Sequence, residues 1–272
     1  MSYFESHDGT RLFYEDWGTG APIVFVSSWA LNSDMWEYQI PPLVEQGFRC
    51  ITLDRRGHGR SDRVGHGYDF DTLADDLAAL ITHLDLHNVT LVGHSTGGCE
   101  VIRYLSRHGS QRIARIGLIA AIAPFLHQTD DNPMGVPEVI HQKTSKALRE
   151  DRAKYFAHRA QGFFAMHLGN EVSTELVQWM TQQCQYNSPM AILQLWHSAF
   201  YTDFRAEMRE ITVPTLIIHG TADASALIDI TGRRSAQLIP GNTYKEYPNA
   251  GHGLFITHKE HLTNDLLEFI RG

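Results

Sequence analysis

The sequence predicts an α/β fold with a mainly parallel central sheet, helices on both of its faces, and one helical cap insertion. Two observations carry that prediction. Short β-branched runs alternate with amphipathic stretches along most of the chain, the pattern of repeated strand–helix–strand units. From 124 to about 208 the alternation stops and only helical patterns remain. Residues 1–123 and 209–272 are therefore assigned to the core, and 124–208 to a cap over the C-terminal ends of the strands. Ligands bind at those ends in open α/β sheets. Four further structural helices with no part in binding would give the same pattern. A chain of 272 residues suits one such domain with an insertion.

The elements follow in order. Residues 3–6 and 12–16 flank His7-Asp8-Gly9-Thr10, and the Asp-Gly pair between extended segments reads as a hairpin turn. Pro22-Ile23-Val24-Phe25-Val26 is a continuous apolar run suited to a buried parallel strand. Residues 35–46 place Trp36, Ile40 and Leu43 at helical spacing, and 49–53 form a second buried strand ending at Asp54. Over 69–86, Leu73, Leu77, Leu80, Ile81 and Leu84 make the apolar face of a helix. Further strands are expected over 89–92, 113–121, 213–219 and 244–247. Further helices are expected from Gly98, over 228–238 and over 255–271.

Composition bounds the function. The hydrophobic (43%) and charged (20%) fractions are those of an ordinary globular chain. A net charge of −8, with only Arg55-Arg56 and Arg233-Arg234 as basic pairs, argues against a nucleic acid or an anionic membrane as partner. No apolar run approaches the length of a membrane span, and the N-terminus lacks the pattern of a signal peptide. The three cysteines (Cys50, Cys99, Cys184) show no C-x-x-C spacing, so a reduced, cytoplasmic protein is expected. A homo-oligomer is left open. No H-E-x-x-H or zinc-type Cys/His spacing occurs, so neither metal nor cofactor is expected.

Chemistry concentrates at three strand ends. Gly93-His94-Ser95-Thr96-Gly97 stands between a predicted strand and a predicted helix. In that context a G-x-S-x-G run is a tight turn presenting a nucleophilic serine; elsewhere it is a buried turn containing a hydroxyl. A serine needs a base to take its proton and a third group to orient that base. On such sheets these follow in the order Ser, Asp or Glu, His. Asp223 lies just beyond the strand containing Leu216-Ile217-Ile218-His219, with Asp229, placed in the next helix, as its rival. His252 sits between Gly251 and Gly253 after the last strand, and is preferred among sixteen histidines by that position. His258 and His261 read as surface residues of the last helix. The candidate catalytic residues are thus Ser95, Asp223 and His252. Candidate oxyanion donors are the amides of Thr96, at a helix start, and Trp29, in the loop after the first buried strand.

These residues resemble the α/β-hydrolase family, in the serine esterase branch that also holds cofactor-free bacterial haloperoxidases, or perhydrolases. The resemblance rests on Leu53-Asp54-Arg55-Arg56-Gly57-His58-Gly59-Arg60-Ser61, Gly93-His94-Ser95-Thr96-Gly97-Gly98, His219-Gly220-Thr221-Ala222-Asp223 and Gly251-His252-Gly253-Leu254. It implies Ser95 as nucleophile, Asp223 as acid and His252 as base. It also implies hydrogen peroxide as an alternative acceptor in deacylation, giving a peracid. Where the family has His-Gly before its oxyanion-loop tryptophan, this chain has Ser27-Ser28, so Ser28 is expected to adopt backbone angles that suit glycine. The Arg-Arg-Gly-His-Gly-Arg-Ser loop lacks the lysine of a phosphate-binding loop and reads as a structural brace.

The insertion is rich in large apolar residues. Phe125, Phe163 and Trp196, with Leu227 from the core, are the expected pocket wall. The expected activity is hydrolysis of small to medium uncharged esters through an acyl-enzyme, with perhydrolysis as a side reaction. A lactonase for acyl-homoserine lactones or related rings uses the same triad. A small-ligand receptor on a hydrolase scaffold is the non-enzymatic alternative.

Overall fold

The computed structural model describes residues 2–272. Eight strands form one sheet. β1 (Ser2–Glu5) and β2 (Arg11–Trp17) make the hairpin, antiparallel to each other, and β2 lies antiparallel to β4 (Arg49–Leu53). The rest is parallel: β3 (Pro22–Val26), β5 (Val89–His94), β6 (Ile113–Ile119), β7 (Thr215–Gly220) and β8 (Thr243–Tyr247), in spatial order β1-β2-β4-β3-β5-β6-β7-β8. From β3 the chain builds β4 on one side and β5 on the other. The strand order therefore reverses at β3 and β5, where Val26 pairs with Gly93. That reversal opens a crevice beyond the C-terminal strand ends.

Alternate residues of each strand serve opposite faces. Val24, Ile51 and Leu91 pack with Leu73, Leu77, Leu80 and Ile81 of α2 (Phe70–His83) and with Val101 and Ile102 of α3 (Thr96–His108). Ile23, Phe25 and Cys50 pack on the other face with Trp36, with Leu43 of α1 (Ile40–Glu45) and with Leu262. The sheet is thus buried on both sides, as continuous apolar runs require. The cysteines are all free. Among the described residues, no helix is long and apolar enough to cross a membrane.

Several helices differ from their expected extents. Residues 35–46 do not form one helix: a 3-10 turn spans Ser33–Trp36 and α1 starts at Ile40. Pro41 and Pro42 lack the N–H a continuing helix needs but fit a first turn. α2 begins after Asp69, whose carboxylate accepts from the Thr72 N–H (2.9 Å), and ends before the left-handed Asp85.

The expected helix over 228–238 is only α8 (Gly232–Leu238). Residues 227–231 form a turn closed by the Thr231 hydroxyl on the Leu227 carbonyl (2.8 Å), so Asp229 lies in a turn rather than a helix. The last helix breaks at His258 (φ −126°) into α9 (Leu254–Thr257) and α10 (Lys259–Arg271).

Between β6 and β7 run α4 (Glu138–Phe163), α5 (Thr174–Tyr186), α6 (Pro189–Tyr201) and α7 (Arg205–Arg209). α4 kinks at Asp151 (φ −155°, ψ 84°), whose carboxylate caps the second half through the Lys154 N–H (2.9 Å). Phe204 packs edge-on against Phe70, and Met208 joins the same core cluster. Core packing therefore resumes a few residues before 209.

Candidate active site

β5 ends in a sharp turn at Ser95 (φ 57°, ψ −117°), from which α3 departs at once. The turn closes only with glycines beside it. A Cβ on Gly93 would lie 2.3 Å from the Gly97 carbonyl oxygen, and one on Gly97 would lie 2.4 Å from that of Val26. Ser95 is a non-glycine residue in a sparsely populated backbone region, a strain that clusters at functional sites.

Asp223 follows β7 and His252 follows β8. The two loops are stitched together by Thr221 N–H to the Tyr247 carbonyl and Ala222 N–H to that of Ala250, both 3.0 Å. His252 Nδ1 lies 2.6 Å from Asp223 Oδ2, and His252 Nε2 lies 2.9 Å from Ser95 Oγ. A carboxylate only accepts, so Nδ1 carries the proton and Nε2 is left to accept from the serine hydroxyl. Ser95, Asp223 and His252 are all buried. Asp229 is exposed and pairs with Arg233, outside this cluster.

Neighbours hold the relay. Asp223 Oδ1 accepts from the backbone N–H of Ser225 (2.8 Å) and Ala226 (2.7 Å). Burial alone would raise the Asp223 carboxyl, but the rings of His252 and His219 beside it hold it far below the usual carboxylate range. His219 donates from Nε2 to the Ala226 carbonyl (2.8 Å), fixing the loop that carries Asp223. His94 donates from Nε2 to the backbone carbonyl of His252 (2.9 Å) and packs edge-on against its ring. Burial holds His94 neutral, well below its ordinary value.

The loop after β3 brings Trp29 alongside. Its Ser27 and Ser28 carbonyls accept from Arg55 (2.7 and 3.3 Å), and Arg55 is paired with Glu100 of α3. The expectation for Ser28 is corrected: the left-handed residue of this loop is Ala30 (φ 64°), not Ser28. Arg55 fixes the two serine carbonyls. The Trp29 N–H makes no hydrogen bond among the described residues. The Thr96 N–H, first of its helix, has no intrahelical partner. The Arg55–Ser61 loop is a brace around buried charges: Arg56 pairs with Asp76 (2.6 Å), and Arg60 with Asp54 (3.0 Å).

A cavity of about 490 Å³ opens over Ser95, lined by Trp29, Thr96 and His252 from the core and by Phe163 and Trp196 from the helices between β6 and β7. Leu227 lines its core side. Phe125 does not line it, and this corrects the expected wall: its ring lies against the Arg205 guanidinium (5.2 Å) and meets His127 edge-on. Ile122 and Leu126 face the cavity instead. Met180, one of the insertion's large apolar residues, also lines it, as do Tyr155 and Arg159, which carried no sequence signal because helix packing alone decides which residues turn inward. Arg159 is the one permanently charged residue of the lining. Burial pushes the Cys184 thiol in the wall up to about 12, so it stays protonated. Among the described residues, no cluster of three or more His, Cys, Asp or Glu is arranged to hold a metal ion.

A family model described as the alpha/beta hydrolase fold matches residues 21–259. The chain is 40% identical to the non-heme chloroperoxidase CPO-A1 of Kitasatospora aureofaciens over 273 residues, covering 99% of each chain. It is 36% identical to the bifunctional esterase/perhydrolase DCH of Acinetobacter calcoaceticus, covering all of both. Among solved structures, the esterase EaEST of Exiguobacterium antarcticum superimposes with a TM-score of 0.95 at 32% identity, over 100% of this chain and 99% of the other.

Proposed function

The chain belongs to the α/β-hydrolase family, in its haloperoxidase and esterase branch, and on that premise we propose that it is a cofactor-independent serine carboxylesterase acting on small to medium uncharged esters. The single observation that carries this reading is the Ser95–His252–Asp223 relay at 2.9 and 2.6 Å, set on a strained turn at the floor of an apolar cavity.

In the proposed mechanism Ser95 Oγ attacks the ester carbonyl while His252 Nε2 takes its proton. Asp223 keeps the imidazole in the tautomer that can accept, and stabilises the imidazolium that forms. The N–H groups of Thr96 and Trp29 receive the developing oxyanion, one such donor being worth about 10²–10³ in rate. His252 then protonates the leaving alcohol and activates water for deacylation. Hydrogen peroxide in place of water gives a peracid, the proposed side reaction. Residues 124–208 act as the cap that selects the acyl group.

An organophosphonate probe should label Ser95 stoichiometrically. Ser95→Ala should abolish labelling and lower kcat by roughly 10⁶ without changing the fold. A variant keeping near-full esterase activity would sink the reading, and an unlabelled wild type would favour a receptor.

A further inference from the structure

We propose that Asn187, in the turn between α5 and α6, is a positioning residue for the oxyanion donor on Trp29. This rests on the serine esterase reading and adds a residue that never touches substrate. Asn187 is buried, and its one planar amide ties two core loops together. Nδ2–H donates to the Ala30 carbonyl (2.7 Å), in the loop after β3. Oδ1 accepts from the Gly59 N–H (2.9 Å), in the loop after β4.

Asn187 is itself fixed from the insertion side. Its backbone carbonyl accepts from Arg152 Nη1 (2.9 Å), while Arg152 Nη2 holds the Gln185 carbonyl (2.7 Å). The next residue donates Ser188 N–H to the Gly57 carbonyl (2.8 Å). Two more bonds clamp the same loop from the insertion: Trp29 Nε1–H to the Ile192 carbonyl (3.0 Å), and Asn32 N–H to Gln183 Oε1 (3.4 Å).

The need for a strut follows from backbone geometry. The Trp29 N–H shares a rigid peptide plane with the Ser28 carbonyl, so its direction is set by whatever sets that plane. Arg55 and the turn bond from Leu31 N–H (3.3 Å) hold the Ser28 carbonyl. Two residues further on, Ala30 is left-handed (φ 64°), a conformation an alanine leaves unless it is held. A return of Ala30 to negative φ would turn the peptide that carries the Ala30 carbonyl and the Leu31 N–H, break the Leu31 bond to the Ser28 carbonyl, and so release the plane that carries the Trp29 N–H. The Asn187 bond to the Ala30 carbonyl opposes that return. The insertion therefore fixes a catalytic donor as well as walling the cavity.

The test compares an ester with its thiono counterpart, in which sulfur replaces the carbonyl oxygen and accepts hydrogen bonds poorly. Asn187→Asp keeps the acceptor for Gly59 and removes the donor to Ala30. Its kcat on the oxo ester should fall about 100-fold with KM within twofold, the scale of losing one aligned donor. The thiono ester should suffer much less, so the oxo-to-thiono rate ratio should shrink at least tenfold. Equal losses on both substrates, or an unchanged ratio, would overturn the role of Asn187. Should Asn187→Asp not fold, Asn187→Ser, with a donor too short to reach, is read in the same way. Phosphonate labelling of wild type runs alongside. No labelling sinks the esterase reading, whereas labelling with an unmoved ratio sinks only this proposal.

Discussion

Arg55 and Glu100 show how a single residue pair supports the site from below. Their side chains are 3% and 1% exposed, so the pair is cut off from water. Burial raises the Glu100 carboxyl, and the Arg55 charge works against that rise. Removing one partner leaves the other charge buried alone, which costs about 3–5 kcal/mol. Glu100→Gln should therefore lower the unfolding free energy by that amount, read as a lower urea midpoint at an unchanged slope. It should also loosen the loop whose Ser27 and Ser28 carbonyls Arg55 holds. Replacing both residues by Met should recover most of the stability without recovering the rate. A single variant as stable as wild type would show that the pair contributes little.

At this scale legibility depended on chemistry that repeats locally. Ser95, Asp223 and His252 could be singled out because each stands at a strand end in a turn flagged by glycine or by chain order. Asn187 could not, since its partner Ala30 is 157 residues away and an asparagine before Ser188-Pro189 looks like any helix cap. The placement of Phe125 failed for a related reason. Sequence shows that a residue is large and apolar, but the way the chain leaves β6 decides which neighbours face the cavity.

Elements were legible where one face or two had to be buried. The continuous apolar runs of β3 and β4 begin and end where their sequences say, because both faces lie within the core. Helix ends were less legible, because side chains that interrupt a helix also fit its apolar period. Pro41-Pro42 and His258 both sit inside such patterns. Asp151 is the clearest instance: an acidic residue within a polar stretch splits α4 and caps its second half. That second half presents Tyr155, Phe156 and Arg159 to the cavity. Asp151→Ala removes the cap and should cost about 1 kcal/mol. Thermal unfolding should show a fall of roughly 2–4 °C. A variant as stable as wild type would show that packing, not the cap, holds the second half.

The whole molecule carries its histidines unevenly, and acid should expose that. His58 and His94 are completely buried. Burial, followed by the nearby Arg55 charge, brings His58 down to about 3, and burial brings His94 well below its ordinary value. Unfolded, both imidazoles titrate near 6.5, so below that pH the unfolded chain binds protons that the folded chain refuses. Stability from these groups is complete above about pH 6.5 and is lost as pH falls toward the folded values. From pH 7 to 5.5 His58 should remove roughly 1.2 kcal/mol, and His94 acts in the same direction. His141 and His258, lowered less completely, act in the same direction. Asp76 and Glu100, raised by burial, act in the opposite sense. Urea midpoints across that range should fall with an unchanged slope. His58→Gln, which keeps a donor near the Arg56 carbonyl that His58 contacts at 3.0 Å, should remove roughly 1.2 kcal/mol of the drop. His94 lies against His252, so its share would appear in activity as well as stability; His58 is the group that separates the two. If His58→Gln shows the same acid sensitivity as wild type, the buried imidazole does not set it.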